Sequence, residues 1–289
     1  MAKAFEIPFT KFHGLSNDFI VARGKGLPKS LPNLARSITD RHNGVGADGF
    51  IVVLASHDKK LDARIRFFNA DGSEPEMSGN GIRCAAAFIL GIKPRRRAIT
   101  IETIAGAKFL RLIKAEGNAW TFKVGMGAPI LEPSKIPFSS GDFSVPIVRF
   151  PLQTQGGVLP VTVTSMGNPH CSTFVTDFAD IDWMSLGAEI ERNDRFPNRT
   201  NVEFVKVISK NEIDMRVWER GCGITLACGT GACACVVAGI LNNLTENIVK
   251  VNLLGGALII EWQGSSENLS QDVFMSGPAE YTFFAEYIL

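Results

Sequence analysis

An internal repeat constrains this chain more than any other feature of its sequence. Residues 77–87 read Met-Ser-Gly-Asn-Gly-Ile-Arg-Cys-Ala-Ala-Ala, and residues 227–237 read Ala-Cys-Gly-Thr-Gly-Ala-Cys-Ala-Cys-Val-Val, 150 positions further on. Three more pairs of segments match in the same order at nearly the same offset: 14–17 with 165–168, 105–107 with 255–257, and 124–129 with 273–278. Because one short match is weak but four ordered matches indicate duplication, the sequence predicts two similar domains.

The ends of the two copies give the domain boundaries. The first copy ends near Met126–Pro129 and the second near Ser276–Pro278, so the tail Ala279–Leu289 is left over. We expect this tail to return to the first domain as a closing strand. The sequence therefore predicts an N-terminal half of residues 1–127 plus 278–289, and a C-terminal half of residues 128–277.

Most of the chain has the pattern of β-strands. Eight short segments are rich in β-branched or aromatic residues and often alternate: 50–54, 63–68, 99–103, 119–124, 157–164, 202–207, 213–218 and 257–262. One helix follows each glycine motif, at about 81–90 and 231–242, and both are apolar on nearly every face, which requires burial all round. The prediction is an α/β (α+β) fold of two pseudo-symmetric domains, each a mixed strand barrel around a central helix, with the active site in the interdomain cleft.

Composition excludes several classes of protein. The 289 residues are 45% hydrophobic, enough for two cores, and the net charge of +1 gives no nucleic-acid footprint, since the longest basic run is residues 93–97. No apolar run approaches the ~20 residues that span a bilayer, and Met1–Glu6 does not begin a signal peptide. We therefore expect a cytoplasmic protein that binds neither membrane nor nucleic acid.

The six cysteines do not form a recognisable metal site. They are Cys84, Cys171, Cys222, Cys228, Cys233 and Cys235. Without Cys-x-x-Cys pairs or a nearby histidine cluster, the spacing argues against zinc. In a cytoplasmic chain of this length, reduced thiols are expected rather than a disulfide framework.

The repeated motif itself has a definite chemistry. A small nucleophile, Ser78 or Cys228, precedes Gly-x-Gly at a helix start, where unpaired backbone N–H groups and the helix dipole favour an anion such as a carboxylate. The same field should favour a thiolate at Cys228, lowering its pKa from the free value of about 8.5. If two such starts face each other, residues 78 and 228 flank the α-carbon of one amino acid. One then removes a proton while the other delivers one, and the helix ends stabilise the developing charge.

The repeated motifs also have a purely structural explanation. Ser78 and Cys228 are also suitable as ordinary N-cap residues, with the glycines serving turns. For a single motif the structural explanation would be the better one, but the duplicated pair favours the functional one.

The sequence around these motifs resembles the diaminopimelate epimerase family, within the pyridoxal-phosphate-independent amino-acid racemases. The resemblance covers nearly the whole chain. It rests on Phe12-His-Gly-Leu-Ser-Asn-Asp-Phe19, Arg41-His-Asn-Gly-Val-Gly-Ala-Asp-Gly49, Asn69-Ala-Asp-Gly-Ser-Glu-Pro-Glu-Met-Ser-Gly-Asn-Gly-Ile-Arg-Cys84, Gly167-Asn-Pro-His170, Thr200-Asn201 and Glu219-Arg-Gly-Cys-Gly-Ile-Thr-Leu-Ala-Cys-Gly-Thr-Gly-Ala-Cys233.

The resemblance implies a function and a set of site residues. The family interconverts LL- and meso-diaminopimelate in lysine biosynthesis without a cofactor or metal, and it suggests a homodimer. The catalytic residues it implies are Cys228, Ser78 at the position of the first catalytic cysteine, His170 and Glu219. Those implied to bind substrate, together with the two helix starts, are Asn17, Asn69, Gly79, Asn80, Asn168, Asn201, Glu219, Arg220, Gly229 and Thr230.

Structural roles remain open for several of these residues. Asn17 and Asn168 match in the two copies, so a shared turn is an alternative for both. His170 is equally well explained as a satisfied, partly buried histidine, and Glu219 with Arg220 as surface charge.

Ser78 is the most consequential departure from the family, which has cysteine at both repeat positions. A serine hydroxyl is a far weaker acid than a thiol and should be a much slower unaided base. Ser78 could be an engineered change, a natural member of a Ser/Cys pair, or a sign of another task. Ile224 in place of a usual Glu, Cys222 in place of a common Ala, and Ser16 in place of a common Gly resemble natural divergence.

Three functions therefore remain open. The leading one is diaminopimelate epimerisation, impaired by Ser78. The second is racemisation or epimerisation of another amino acid with a Ser/Cys pair, and activity insensitive to Arg220→Ala would favour it. The third is amino-acid binding without turnover.

Overall fold

The structure is a computed structural model, and it describes residues 6–92, 96–141, 143 and 145–289. Most of Met1–Glu6 and part of the basic run 93–97 lie outside the described residues. The chain splits into two compact units, Met1–Val124 with Ser276–Leu289, and Gly125–Met275. We call these the first and the second unit.

The described residues form four α-helices and sixteen strands. The helices are α1 (Leu31–Thr39), α2 (Gly79–Ile92), α3 (Trp183–Glu191) and α4 (Gly229–Leu241). The strands are β1 (Glu6–Gly14), β2 (Asn17–Arg23), β3 (Gly49–Leu54), β4 (Ala63–Asn69), β5 (Ala98–Thr103), β6 (Gly106–Glu116), β7 (Ala119–Gly127), β8 (Phe150–Thr154), β9 (Gly157–Ser165), β10 (Pro169–Val175), β11 (Asn201–Ser209), β12 (Glu212–Glu219), β13 (Gly223–Ile224), β14 (Ile248–Leu253), β15 (Gly256–Trp262) and β16 (Val273–Ile288). No helix of the described chain is long and apolar enough to cross a membrane.

Eight strands close into a barrel in the first unit. They follow the order β1 to β7 and then β16, and β16 pairs antiparallel with β1 to close the circle. The register of this last pair runs from Glu6 opposite Ile288 to His13 opposite Glu280. The pairs β2–β3 and β4–β5 are parallel, so the barrel is mixed.

The second unit is a mixed sheet with a similar sequence of pairings. Its strands follow the order β15, β14, β12, β11, β10, β9 and β8, and the short β13 pairs with β12. The pairs β10–β11 and β12–β14 are parallel. The parallel β10–β11 pair corresponds to β2–β3 of the first unit and places His170 opposite Asn201.

Each unit packs its strands around one buried helix. α2 contacts β1, β2, β3 and β5, whereas α4 contacts β9, β10, β11, β12 and β15. In α4, eleven of the thirteen residues are buried, which explains its apolar character on every face. The mixed α+β fold with strands around a central helix is thus confirmed, and all eight predicted strand segments and both predicted helices are found.

Candidate active site

The two repeated motifs form matching helix starts. The Ser78 Oγ accepts a hydrogen bond from the Gly81 N–H at 3.0 Å, and the Cys228 Sγ accepts one from the Gly231 N–H at 3.4 Å. Both residues therefore cap their helices, as the structural explanation requires. Capping does not exclude chemistry, because it also places each side chain among the free N–H groups of a first helical turn.

The glycines of the motif allow close packing at these starts. A Cβ at Gly81 would lie 2.6 Å from the ring of Phe67, and a Cβ at Gly231 would lie 2.9 Å from Glu203 Oε1. Any larger residue would force these neighbours apart. Four of the predicted substrate-binding residues lie in the first turns of these helices. Asn80 and Gly229 are buried, and Gly79 and Thr230 are half-buried.

Cys228 lies beside a second acid, Glu219. A hydrogen bond joins the two side chains, and the Thr225 hydroxyl donates to Glu219 Oε1 at 2.5 Å. Burial raises the pKa of the Glu219 carboxyl, although Thr225, His170 and Cys228 each stabilise its charged form. Thr230 Oγ1 lies 3.6 Å from the Cys228 Sγ on the helix side.

The expected lowering of the Cys228 pKa is wrong. Cys228 is only 7% exposed, and burial raises its pKa well above the ordinary thiol value. The negative charges of Glu219 and Glu203 raise it further, whereas the hydrogen bonds from Thr230 and Gly231 act in the lowering direction and are outweighed. The helix start is present, but desolvation and two nearby carboxylates dominate over its field.

His170 is completely buried and bonded through both ring nitrogens. Its Nδ1 lies 2.6 Å from Glu203 Oε1, and its Nε2 lies 3.1 Å from Asn168 Oδ1. The Asn168 amide nitrogen in turn donates to Thr230 Oγ1 at 3.4 Å. The structure thus favours a satisfied histidine that orients Asn168 over a histidine that touches a substrate.

Asn201 also uses both ends of its amide within the protein. Its Nδ2 donates to the Pro169 carbonyl at 2.8 Å, and its Oδ1 accepts the Arg220 backbone N–H at 3.0 Å. Asn201 is buried, whereas Arg220 is exposed and donates from its guanidinium to the Asn198 carbonyl at 3.3 Å. These contacts place Asn201 as the support of the Glu219–Arg220 segment.

In the first unit, Asn17 is anchored by a charged cluster. Its Nδ2 donates to Asp48 Oδ2 at 2.9 Å, and Arg41 bridges Asp48 and Asp18 at 2.8 and 2.9 Å. Burial opposes ionisation of Asp18, yet the hydrogen bonds from Lys11 and Arg41 lower its pKa to about 2. The side-chain oxygen of Asn17 accepts a hydrogen bond from the Asn80 Nδ2 at 3.4 Å.

Asn69 is the counterpart of Glu219 at the 150-residue offset. It is exposed at the end of β4, and its Nδ2 donates to Ser73 Oγ at 2.9 Å. The first unit therefore carries serine and an amide where the second carries a thiol and an acid.

The structure joins most of the candidates of the second unit by contacts. Hydrogen bonds link Cys228 to Glu219 and Thr230, and Thr230 through Asn168 to His170. The sequence interpretation missed Glu203, although a charged residue inside the buried-strand pattern Val202–Val207 was a usable signal. It also gave no role to Asp48 and Thr225, although both lie inside motifs that carry the family resemblance.

Solved structures similar to this one show the class of fold. A phenazine biosynthesis protein of the PhzF family from Bacillus anthracis matches with a TM-score of 0.71 at 16% identity, covering 98% of this chain and 99% of its own. A hydroxyproline epimerase from Agrobacterium vitis matches with a TM-score of 0.70 at 13% identity, covering 99% of this chain and 93% of its own. The fold is therefore that of the racemase, epimerase and PhzF-like proteins.

Sequence comparison is more specific. The family model for diaminopimelate epimerase matches residues 9–132 and 162–282. A diaminopimelate epimerase from Halothermothrix orenii is 46% identical over 286 residues, covering 98% of this chain and 99% of the relative. One from Pelotomaculum thermopropionicum is 47% identical over 284 residues, covering 96% and 98%. This chain belongs to the diaminopimelate epimerase family, and it is an isomerase of the amino-acid epimerase kind.

Proposed function

We propose that this protein interconverts LL- and meso-diaminopimelate by proton transfer at the α-carbon. The observation that carries the proposal is the identity of 46–47% over nearly the full length of relatives that are diaminopimelate epimerases. The local geometry supports it, because the buried thiol of Cys228 and the half-buried carboxyl of Glu219 share a hydrogen bond at a helix start.

Cys228 and Glu219 would act as one acid/base unit. Burial favours the thiol form of Cys228, which can deliver its proton to a carbanion. When Cys228 instead receives the α-proton, it must first lose its own, and Glu219 is hydrogen-bonded to it and can accept that proton. A carboxyl with a raised pKa is suited to this exchange, since acid/base catalysis works best when the pKa lies near the working pH.

Ser78 would stand at the position of the other acid/base. Its hydroxyl is half-buried and bonded to Gly81, and its counterpart of Glu219 is the amide of Asn69. Neither group readily takes a proton at neutral pH. We therefore expect proton transfer on the Ser78 side to limit the rate, and a natural Ser/Cys pair acting on another amino acid is the second candidate.

The substrate has a second amino-acid head, which needs hydrogen-bonding groups and a counter-charge. We propose Asn17, Asn69 and Asn168 for direct contacts, with Arg220 facing the distal carboxylate. Asn201 would act by holding the backbone of Arg220, because its amide is already bonded at both ends.

Conversion of LL-diaminopimelate to the meso form, followed by chiral chromatography, tests the proposal. We expect product with the natural chain, none with Cys228→Ala, and a raised KM for diaminopimelate with Arg220→Ala. Turnover of other amino acids alone, insensitive to Arg220→Ala, would favour the second candidate. Calorimetric binding without turnover, unchanged in Cys228→Ala, would instead indicate a binding protein.

We also propose a homodimer, in keeping with the family resemblance. Strand β16 exposes Phe283, Phe284 and Ile288 at 40%, 59% and 65% of their surface, an apolar strip suited to a second copy. Light scattering after size-exclusion chromatography should give the dimer mass, and Phe284→Glu should lower it to that of the monomer. The cytoplasmic location remains a prediction from the sequence.

A further inference from the structure

Glu203 is a carboxylate with no access to solvent. It lies in β11, and the side chains of Glu203 and His170 are both 0% exposed at a separation of 2.6 Å. Its other oxygen accepts from the Ser172 hydroxyl at 3.4 Å. Burying two such groups carries a large desolvation cost, and a well-packed apolar pair is often as stable or more so. Their presence therefore calls for a role other than stability.

The first unit shows the apolar alternative. In the parallel pair β2–β3, Phe19 lies opposite Gly49, and in the parallel pair β10–β11, His170 lies opposite Asn201. Two residues further along the second strand of each pair are Ile51 and Glu203. The first unit thus has buried Phe19 and Ile51 where the second has His170 and Glu203, so the fold itself does not require the polar pair.

The polar pair fixes the ring of His170. The Nδ1 atom faces Glu203, and the opposite nitrogen, Nε2, points at the oxygen of Asn168. Because an amide oxygen only accepts, the second contact needs a proton on Nε2, and the first contact needs a separate proton between Nδ1 and Glu203 Oε1. The second contact leaves the NH₂ group of Asn168 facing Thr230, in the first turn of α4.

Asn17, the corresponding asparagine of the first unit, is anchored through its NH₂ group, whereas Asn168 is anchored through its oxygen. The NH₂ group of Asn17 donates to the Asp48 carboxylate, and its oxygen is the end that faces Asn80. The two units therefore present different groups beside their helix starts, an acceptor at Asn17 and a donor at Asn168. This difference follows from the partners, Asp48 in one unit and His170 with Glu203 in the other.

We propose that Glu203 is a positioning residue which, through His170, holds the Asn168 amide with its NH₂ group toward the start of α4. There the amide donates to an acceptor on the bound amino acid, a part of the inference that rests on the proposed function. Glu203 itself touches no substrate. Its contact with the first turn of α4, close to Gly231, also suits a carboxylate at a helix N-terminus, but that contact alone would not order Asn168.

Nitrogen NMR of histidine tests the positioning without any substrate. The chain has four histidines, so ¹⁵N-histidine labelling with His170→Asn for assignment isolates the ring of His170. We expect a proton on Nε2, protected from exchange with solvent, and loss of that protection in Glu203→Leu. An unprotonated Nε2 in the natural chain, or an unchanged signal in Glu203→Leu, would overturn the inference even if the protein is an active epimerase.

Kinetics then test the consequence. Glu203→Leu removes the hydrogen bond to His170, whereas Glu203→Gln keeps a polar group there and can rescue it. Residues that orient metal ligands through a hydrogen bond cost about 10- to 100-fold in activity when substituted, and we take the same range for Glu203. We expect Glu203→Leu to lose that much with a rise in KM, and Glu203→Gln to stay within about threefold of the natural chain. Equal losses in both variants, or none in Glu203→Leu, would contradict the hydrogen-bonded role.

Thermal unfolding of both variants provides the control for folding. If Glu203→Leu does not fold, the natural chain and Glu203→Gln still decide the matter by NMR, because the presence or absence of a proton on Nε2 in these two proteins is the primary readout. If neither variant turns over because the natural chain itself does not, the proposed function fails while the NMR result stands by itself.

Discussion

At the scale of single residues, the reactivity of Cys228 depends on its neighbours more than on its helix. Burial and the charges of Glu219 and Glu203 raise the pKa of the thiol, against the hydrogen bonds from Thr230 and Gly231. A thiol held in its protonated form suits delivery of a proton, and in the proposed function the Glu219 carboxyl accepts the thiol proton when the transfer runs in the other direction. The sequence shows the helix start, but it does not show how much solvent reaches it.

The rate of alkylation of Cys228 tests this balance in two variants, which are expected to shift the pKa of the thiol in opposite directions. Glu219→Gln removes a charge that raises the pKa of Cys228, so we expect several-fold faster reaction with iodoacetamide at pH 8. Thr230→Ala removes a hydrogen bond that lowers that pKa, so we expect slower reaction. Mass spectrometry in a Cys222→Ser background, which removes the exposed thiol, would read the rates. An alkylation rate that rises in both variants, or falls in both, would contradict these expectations.

Ser78→Cys tests the limiting role proposed for the serine. A thiol is a far stronger acid than a hydroxyl, and a positioned acid/base contributes about 10²- to 10⁴-fold. We therefore expect epimerisation to rise by about 100-fold or more. The same substitution in a Cys228→Ala background should give no gain, because one acid/base would still be missing. An unchanged rate in the single variant would show that Ser78 does not limit the reaction.

At the scale of elements, the two helix starts hold capping residues that are also the acid/base candidates of the proposed function. Ser78 and Cys228 each bond the N–H of the third residue of the following helix, and the glycines let Phe67 and Glu203 pack against the first turns. In the proposed function, the atom that caps the helix and the atom that exchanges the proton are the same in each unit. We therefore expect a substitution at Ser78 or Cys228 to change both the stability of the protein and its rate of epimerisation. Suitable substitutions separate the two effects.

The cap at Ser78 gives a measurable stability effect. Ser78→Ala removes the acceptor of the Gly81 N–H, and loss of such a cap costs about 1 kcal/mol. Ser78→Gly should cost only a few tenths of a kcal/mol, since glycine leaves the N–H open to solvent. Urea unfolding monitored by circular dichroism would measure both. An alanine variant as stable as the natural chain would show that the hydrogen bond contributes nothing.

The elements also show what the sequence could and could not predict. The eight alternating segments and the two apolar helices were predicted because burial leaves a direct trace in the pattern of apolar residues. β10 was missed, since its His170, Ser172 and Thr173 are polar yet buried. The partners of such residues, here Glu203, lie on a neighbouring strand, and local sequence gives no measure of that pairing.

At the scale of the whole molecule, the duplication has given two units with similar strand pairings but different buried residues at matching positions. The repeat was readable from the glycine motifs, whereas the replacement of Phe19 and Ile51 by His170 and Glu203 needed the strand register. The first unit uses residues from both ends of the chain, because β16 closes its barrel against β1.

Truncation tests the importance of that closure. Deleting residues 280–289 removes the partners of β1 from Glu6 to His13, so two strand edges become unpaired. We expect a clear fall in melting temperature and a tendency to aggregate. Deleting Leu289 alone, which lies beyond β16, is the matched control and should change neither. Equal melting temperatures for both deletions would contradict the closed barrel.

The central claim is that Cys228, with Glu219, moves a proton to and from the α-carbon of an amino acid. Incubation with LL- or meso-diaminopimelate in heavy water, followed by mass spectrometry and chiral separation, measures this most directly. We expect deuterium at the α-carbon with inversion, lost in Cys228→Ala and strongly reduced in Glu219→Gln. Absence of exchange with diaminopimelate and with every other amino acid tried would contradict the account, as would exchange at an unchanged rate in Cys228→Ala.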